Sequence, residues 1–125
     1  MKLENKITAE LMAEDRLLPG AWEIKRTKTN SIAFSSFAVH QITALFKAKL
    51  QRLHVKIRDV GVFKKEFDGI TLEKSPAWCI CCYPDDNRKG YVAYAIDVGV
   101  WHKERQTCGR KSLTKERANE LGEEI

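Results

Sequence analysis

Ala77-Trp78-Cys79-Ile80-Cys81-Cys82-Tyr83 is an unbroken apolar run, and a second one, Gly90 to Val98, follows the turn-rich Pro84-Asp85-Asp86-Asn87-Arg88-Lys89. Short apolar runs bounded by turn residues read as buried strands, and this turn joins them into a hairpin. The strand reading also decides the chemistry of the cysteines. Neighbours on a strand point to opposite faces, so Cys79 and Cys81 share one face and Cys82 takes the other, with no pair placed for an ordinary disulfide. Reduced thiols in a cytoplasmic protein are therefore expected. A zinc site wants two separated ligand pairs, and only His102 and Cys108 stand elsewhere to complete one, so zinc is not expected.

Upstream, Leu3, Ile7, Leu11 and Leu18 recur at helical intervals, predicting a helix over 3–18 that Pro19-Gly20 ends. Ala21 to Thr27 alternates as a strand does, with Trp22 and Ile24 on one face and Glu23 and Lys25 on the other. Asn30-Ser31 suits a turn and Ile32-Ala33-Phe34 a short extended stretch, after which Ser35 or Ser36 offers the hydroxyl of a helix N-cap. From there Val39, Ile42, Phe46, Leu50 and Leu53 form a stripe of core type, with His40 and Gln41 in the second turn. Residues 54–57 read as extended, 59–65 as a loop and 67–72 as a strand. Beyond the hairpin, Thr107 to Ser112 reads as a basic loop, and Ser112 as the cap of a short helix running to Leu121 and stopped by Gly122. The order helix, strand, helix, strands, helix predicts an α/β (α+β) fold in which a small mixed sheet is flanked by helices.

The chain of 125 residues suits one domain spanning 1–125. Its 43% hydrophobic and 31% charged residues exclude wholesale disorder. A net charge of +5 favours polyanionic partners. No apolar stretch approaches the roughly 20 residues of a bilayer span, and the first residues lack the pattern of a signal peptide, so neither membrane nor export is expected.

Glu23-Ile24-Lys25 places a carboxylate and an ammonium on the same face, two residues apart. Alone, this is the pattern of a common solvated ion pair. It is accompanied by Ser31-Ile32-Ala33-Phe34-Ser35-Ser36 and by His40-Gln41 on a helix, and together these resemble the RecU-like branch of the PD-(D/E)xK nuclease superfamily, which includes Holliday junction resolvases. Phe67-Asp68-Gly69-Ile70, the aromatic hairpin and Gly109-Arg110-Lys111-Ser112-Leu113 are similar to small phage-encoded and prophage-encoded relatives, and the resemblance covers most of 21–121.

The resemblance implies a restriction-endonuclease-like fold and a homodimeric endonuclease that hydrolyses branched DNA with Mg²⁺ or Mn²⁺. Glu23 and the Ile24 carbonyl are then metal ligands, and Lys25 orients water or stabilises charge at the phosphate. The family's aspartate strand ordinarily precedes Glu-x-Lys; here the upstream acids are only Glu10, Glu14 and Asp15, on or beside a predicted helix. Asp68 is the better second acid, its plain alternative being a turn residue before Gly69. Asp59 is a further ligand or a loop cap, and Glu10 or Asp15 a helix-borne alternative. Gln41 contacts a water or phosphate at the helix's positive end; His40 does the same or is a partly buried, satisfied imidazole. Ser35 and Ser36, besides capping, donate to phosphate, and Arg26, Lys28, Arg110 and Lys111 hold the DNA backbone. Tyr91, Tyr94 and Trp101 read as hairpin core rather than stacking platforms. The alternative function is a DNA-binding or recombination-accessory protein that keeps the fold without a complete metal site.

Overall fold

The apolar run at 77–83 lies in the middle of the sheet because it is covered on both sides, which is why it reads as continuous rather than alternating. The computed structural model describes residues 3–58, 66–87 and 89–125. In chain order the elements are α1 (Leu3–Ala13), β1 (Ala21–Arg26), β2 (Ser31–Ala33), α2 (Val39–Leu50), β3 (Arg52–Lys56) and β4 (Gly69–Glu73), followed by β5 (Ala77–Pro84), β6 (Tyr91–Asp97), α3 (Val98–Thr107), β7 (Ser112–Thr114), α4 (Lys115–Leu121) and β8 (Glu123–Glu124). The main sheet has the order β1-β5-β6-β8. β1 runs parallel to β5, with Glu23 opposite Cys79, and β5 and β6 form the expected antiparallel hairpin. Two small antiparallel ribbons, β2 with β7 and β3 with β4, complete a mixed α+β fold.

One face of the sheet, with Cys79, Cys81, Tyr83 and Ile96, packs against Ile42 and Leu45 of α2 and Trp101 of α3. The other, with Ile24, Ile80 and Cys82, packs against Ile7 and Leu11 of α1. The cysteines divide between the faces as strand alternation requires, and all three are buried and free. Among the described residues no helix is long and apolar enough to cross a membrane.

Several local expectations are corrected. α1 stops at Ala13 rather than Leu18, because Asp15 turns into the left-handed region (φ 54°). Leu17 and Leu18 still pack on the α1 cluster, so the apolar spacing that suggested more helix reports tertiary contact instead. α2 begins at Val39, later than a serine cap requires. Ser35 and Ser36 are exposed in a 3₁₀ turn, and the N-cap is Ala38, whose N–H donates to Gln41 Oε1 at 3.0 Å. His40 and Gln41 therefore lie in the first turn of α2. The buried stripe is Ile42, Leu45 and Ala48, while Val39 (76%) and Leu50 (62%) are exposed and Leu53 belongs to β3.

α3 was not anticipated: Val98, Gly99 and Val100 are poor helix formers, and burial of Val98 and Trp101 overrides them. Asp97 caps this helix by accepting from Gly99 N–H (2.9 Å) and Val100 N–H (3.3 Å). Trp101 belongs to α3 rather than the hairpin and meets Phe34 and Phe37 edge-on. α4 is capped by Thr114, which accepts from Arg117 N–H at 3.3 Å, and not by Ser112, which lies in β7. Gly20, just before β1, has φ +115°, and a Cβ there would stand 2.1 Å from the Pro76 carbonyl oxygen, so only glycine allows the close approach that starts the β1/β5 pairing.

Candidate functional site

Pairing parity on β1 decides which groups are offered outward. Ala21 N–H donates to Pro76 O and Thr27 N–H to Cys82 O, so odd residues turn their backbone groups toward β5. The backbone N–H and C=O of Trp22, Ile24 and Arg26 consequently face the sheet's outer edge, where β1 has no strand neighbour among the described residues. The side chains of Glu23 and Lys25 rise on the face covered by α2, whose first turn lies above them.

Three side chains converge there. Gln41 Nε2 donates to Glu23 Oε1 at 3.0 Å, and Lys25 Nζ stands 3.4 Å from the same oxygen. The Gln41 amide cannot turn over without losing its second bond, since its oxygen accepts from Ala38 N–H. One side chain thus caps α2 and fixes the carboxylate on β1. The Glu23 side chain is 33% exposed and that of Lys25 20%, so the ion pair is only partly screened and both groups remain reachable from solvent. His40, next to Gln41, is exposed, which corrects the expectation of a partly buried imidazole.

Glu23, His40 and Gln41 border a cleft of about 420 Å³. Its floor is the start of β1 from Gly20 to Glu23, one wall is α2 from His40 to Leu45, and the other is the β3/β4 hairpin.

The remaining predicted residues distribute elsewhere. Asp68 is exposed just before β4, its carbonyl accepting from Ile57 N–H at 2.9 Å, and it does not line the cleft. Asp59 lies outside the described residues. Lys111 and Ser35 are drawn together by the bond from Phe34 N–H to Lys111 O (2.9 Å), so Ser35, Ser36, Arg110 and Lys111 form an exposed group of their own. Arg26 turns to the α1 face, donating to Tyr91 Oη at 3.0 Å, and Lys28 is exposed in the following turn. Glu10 sits on α1, on the sheet face opposite Glu23, and Asp15 is exposed beyond the end of α1.

Sequence reasoning missed the ion pair of Lys49 and Asp97, in which Lys49 Nζ meets Asp97 Oδ1 and Oδ2 at 2.7 and 2.8 Å. An aspartate closing a strand two residues before glycine is an N-cap signal, whereas nothing in the sequence marks Lys49 as its partner. Burial pushes the Cys79 thiol up strongly, and the Asp97 and Glu23 carboxylates add to the shift. Asp97 is occupied by Lys49 and by the α3 cap. Among the described residues no group of three or more His, Cys, Asp or Glu side chains is arranged to hold a metal ion. Glu23 and the Ile24 carbonyl are hard oxygen donors of the kind Mg²⁺ takes, but among the described residues no second carboxylate lines the cleft with them.

No family model, curated protein or solved structure matches the chain.

Proposed function

We propose that this chain is a Mg²⁺- or Mn²⁺-dependent DNA endonuclease, Holliday junction resolvase-like in preferring branched DNA, and a homodimer of the bacterial cytoplasm. The observation that carries the reading is the convergence of Gln41 and Lys25 on one oxygen of Glu23, at the outer edge of the sheet and the floor of a cleft. A divalent ion, when bound, neutralises phosphate charge and makes water a better nucleophile. Glu23 and the Ile24 carbonyl are the residues that would hold it, with Asp68 or Asp59 the acids proposed to complete the set.

The chain's own groups have defined parts. Gln41 holds the Glu23 carboxylate in a single orientation, so no reorganisation is needed when substrate arrives. Lys25 offsets the repulsion between Glu23 and an incoming phosphate and stabilises charge that builds on the phosphate oxygens. His40, exposed at the rim, donates to a phosphate beside the scissile one. Ser35, Ser36, Arg110 and Lys111 grip the backbone at a separate point, with Lys28 adding positive charge, so affinity falls steeply with salt.

A second reading, an accessory protein that binds branched DNA without cutting it, is favoured by the absence of Asp68 from the cleft lining. Cleavage of a labelled four-way junction with Mg²⁺ or Mn²⁺ separates the two. Glu23→Ala and Lys25→Ala should each lower the rate by about 100-fold or more while binding in EDTA persists. Junction that is bound but never cut by the unaltered protein selects the accessory reading, and unchanged cutting by Glu23→Ala overturns the assignment of the site.

A further inference from the structure

Phosphate chemistry needs charge and hydrogen bonds, yet much of the cleft wall is aliphatic. Strand alternation on the β3/β4 hairpin sends Arg52, His54 and Lys56 to one side, where Arg52 meets Glu73 (3.1 Å) and His54 meets Thr71 (2.9 Å). It sends Leu53, Val55, Ile70 and Leu72 to the other, the side that lines the cleft. Val55 is 37% exposed and Ile70 41%, so aliphatic surface faces open space within reach of Glu23 and Gln41. Exposed aliphatic groups gathered in a concavity, with a few polar groups at one end, are the usual make-up of a site for a small apolar body with a polar edge.

We infer that this slot takes one unstacked nucleobase of the DNA strand being acted on. The occupant is argued from complementarity of both shape and charge. The flat faces of a base suit the aliphatic walls. Its edge carries N–H donors for the Glu23 carboxylate and ring or carbonyl acceptors for the Gln41 amide. The phosphates flanking that base meet the exposed His40 at the cleft's rim, in a chain whose net charge of +5 favours a polyanion over a second copy of itself. A base held in an intact duplex cannot enter, whereas one at a junction, gap or bulge enters at little unstacking cost. The slot thereby supplies a preference for branched or interrupted DNA without base-sequence readout. This inference rests on the reading of the chain as a protein that acts on DNA.

The test is binding in EDTA, so that catalysis plays no part, to a duplex with a single bulged 2-aminopurine and to the same duplex fully paired. The bulged DNA should bind about tenfold tighter, with 2-aminopurine fluorescence rising as the base leaves the stack. Val55→Ser and Ile70→Ser alter exposed side chains and should each remove that preference while leaving affinity for the paired duplex unchanged; Ile70→Leu should retain it. Equal affinity for the two DNAs, or a preference that survives both serine substitutions, overturns the slot alone. Failure to bind either DNA overturns the slot together with the reading beneath it. A change of sedimenting mass in the serine variants, with DNA affinity unaltered, makes the hairpin face a contact between copies and likewise overturns the inference.

Discussion

Gln41→Ala removes two bonds with one side chain, and their losses can be separated. The bond from Ala38 N–H satisfies one of the amides left without a partner at the start of α2, and losing such a cap costs about 1 kcal/mol. The bond to Glu23 Oε1 has a charged acceptor, worth about 1.5–3 kcal/mol when enclosed. With the Glu23 side chain 33% exposed, water replaces part of what is lost, and about 1 kcal/mol is the appropriate figure. The sum, about 2 kcal/mol, corresponds to a fall in Tm of about 8 °C for a chain of this length. Glu23→Ala removes the second bond together with the Lys25 ion pair but leaves the cap in place, so the double-mutant cycle of Gln41→Ala with Glu23→Ala, in which the Lys25 loss cancels, should return a coupling near 1 kcal/mol. Gln41→Glu keeps the cap acceptor but sets two carboxylates against each other, so it should be less stable than Gln41→Ala at pH 7. Thermal and urea melts followed by circular dichroism read all of these. A Gln41→Ala protein within about 0.3 kcal/mol of the parent, or a cycle that adds without coupling, would refute the bridge between α2 and β1.

Burial holds the Cys79 and Cys81 thiols far above their ordinary range, so neither is nucleophilic in the native state. A thiol-counting reagent should find Cys108 alone in the folded protein and all four cysteines in denaturant; a second thiol reacting natively would contradict the packing of β5. Hydrogen bonding to Arg117 holds the Glu104 carboxyl below its usual value. Its folded state therefore binds a proton less readily than its unfolded state, and the stabilisation is full above about pH 5 and lost as pH falls through the lowered value. Glu104→Gln should accordingly flatten the acid side of the stability profile and leave slopes above pH 6 alone, a result readable from urea midpoints across pH.

The strands of the main sheet were legible because their signals are local. Apolar runs bounded by turn residues mark β5 and β6, and alternation marks β1, with Glu23 and Lys25 assigned to the correct face. Helix ends were less legible because they depend on the cap. Ser35 and Ser36 look like caps in sequence, but the chain spends them in a 3₁₀ turn, and a glutamine three residues into the helix does the capping from inside. α3 was hidden because intrinsic propensity disfavours Val98-Gly99-Val100, and only the tertiary burial of Trp101 makes the helix worthwhile. In the candidate site, the pairing of Glu23 with Lys25 follows from the strand period alone. The Gln41 contact depends on where α2 starts, and the Lys49–Asp97 pair on how two distant elements dock, neither of which a linear pattern encodes.

The unpaired outer side of β1 carries a consequence for solubility. Strand borders with unsatisfied amides and carbonyls recruit other chains, and ionised side chains along them are the ordinary guard against such growth. Glu23 and Lys25 occupy that position on the longest unprotected border of the main sheet among the described residues. Neutralising both would leave Ala21 to Ile24 a shorter step from a self-associating ribbon, so chemistry and resistance to aggregation constrain the same two positions.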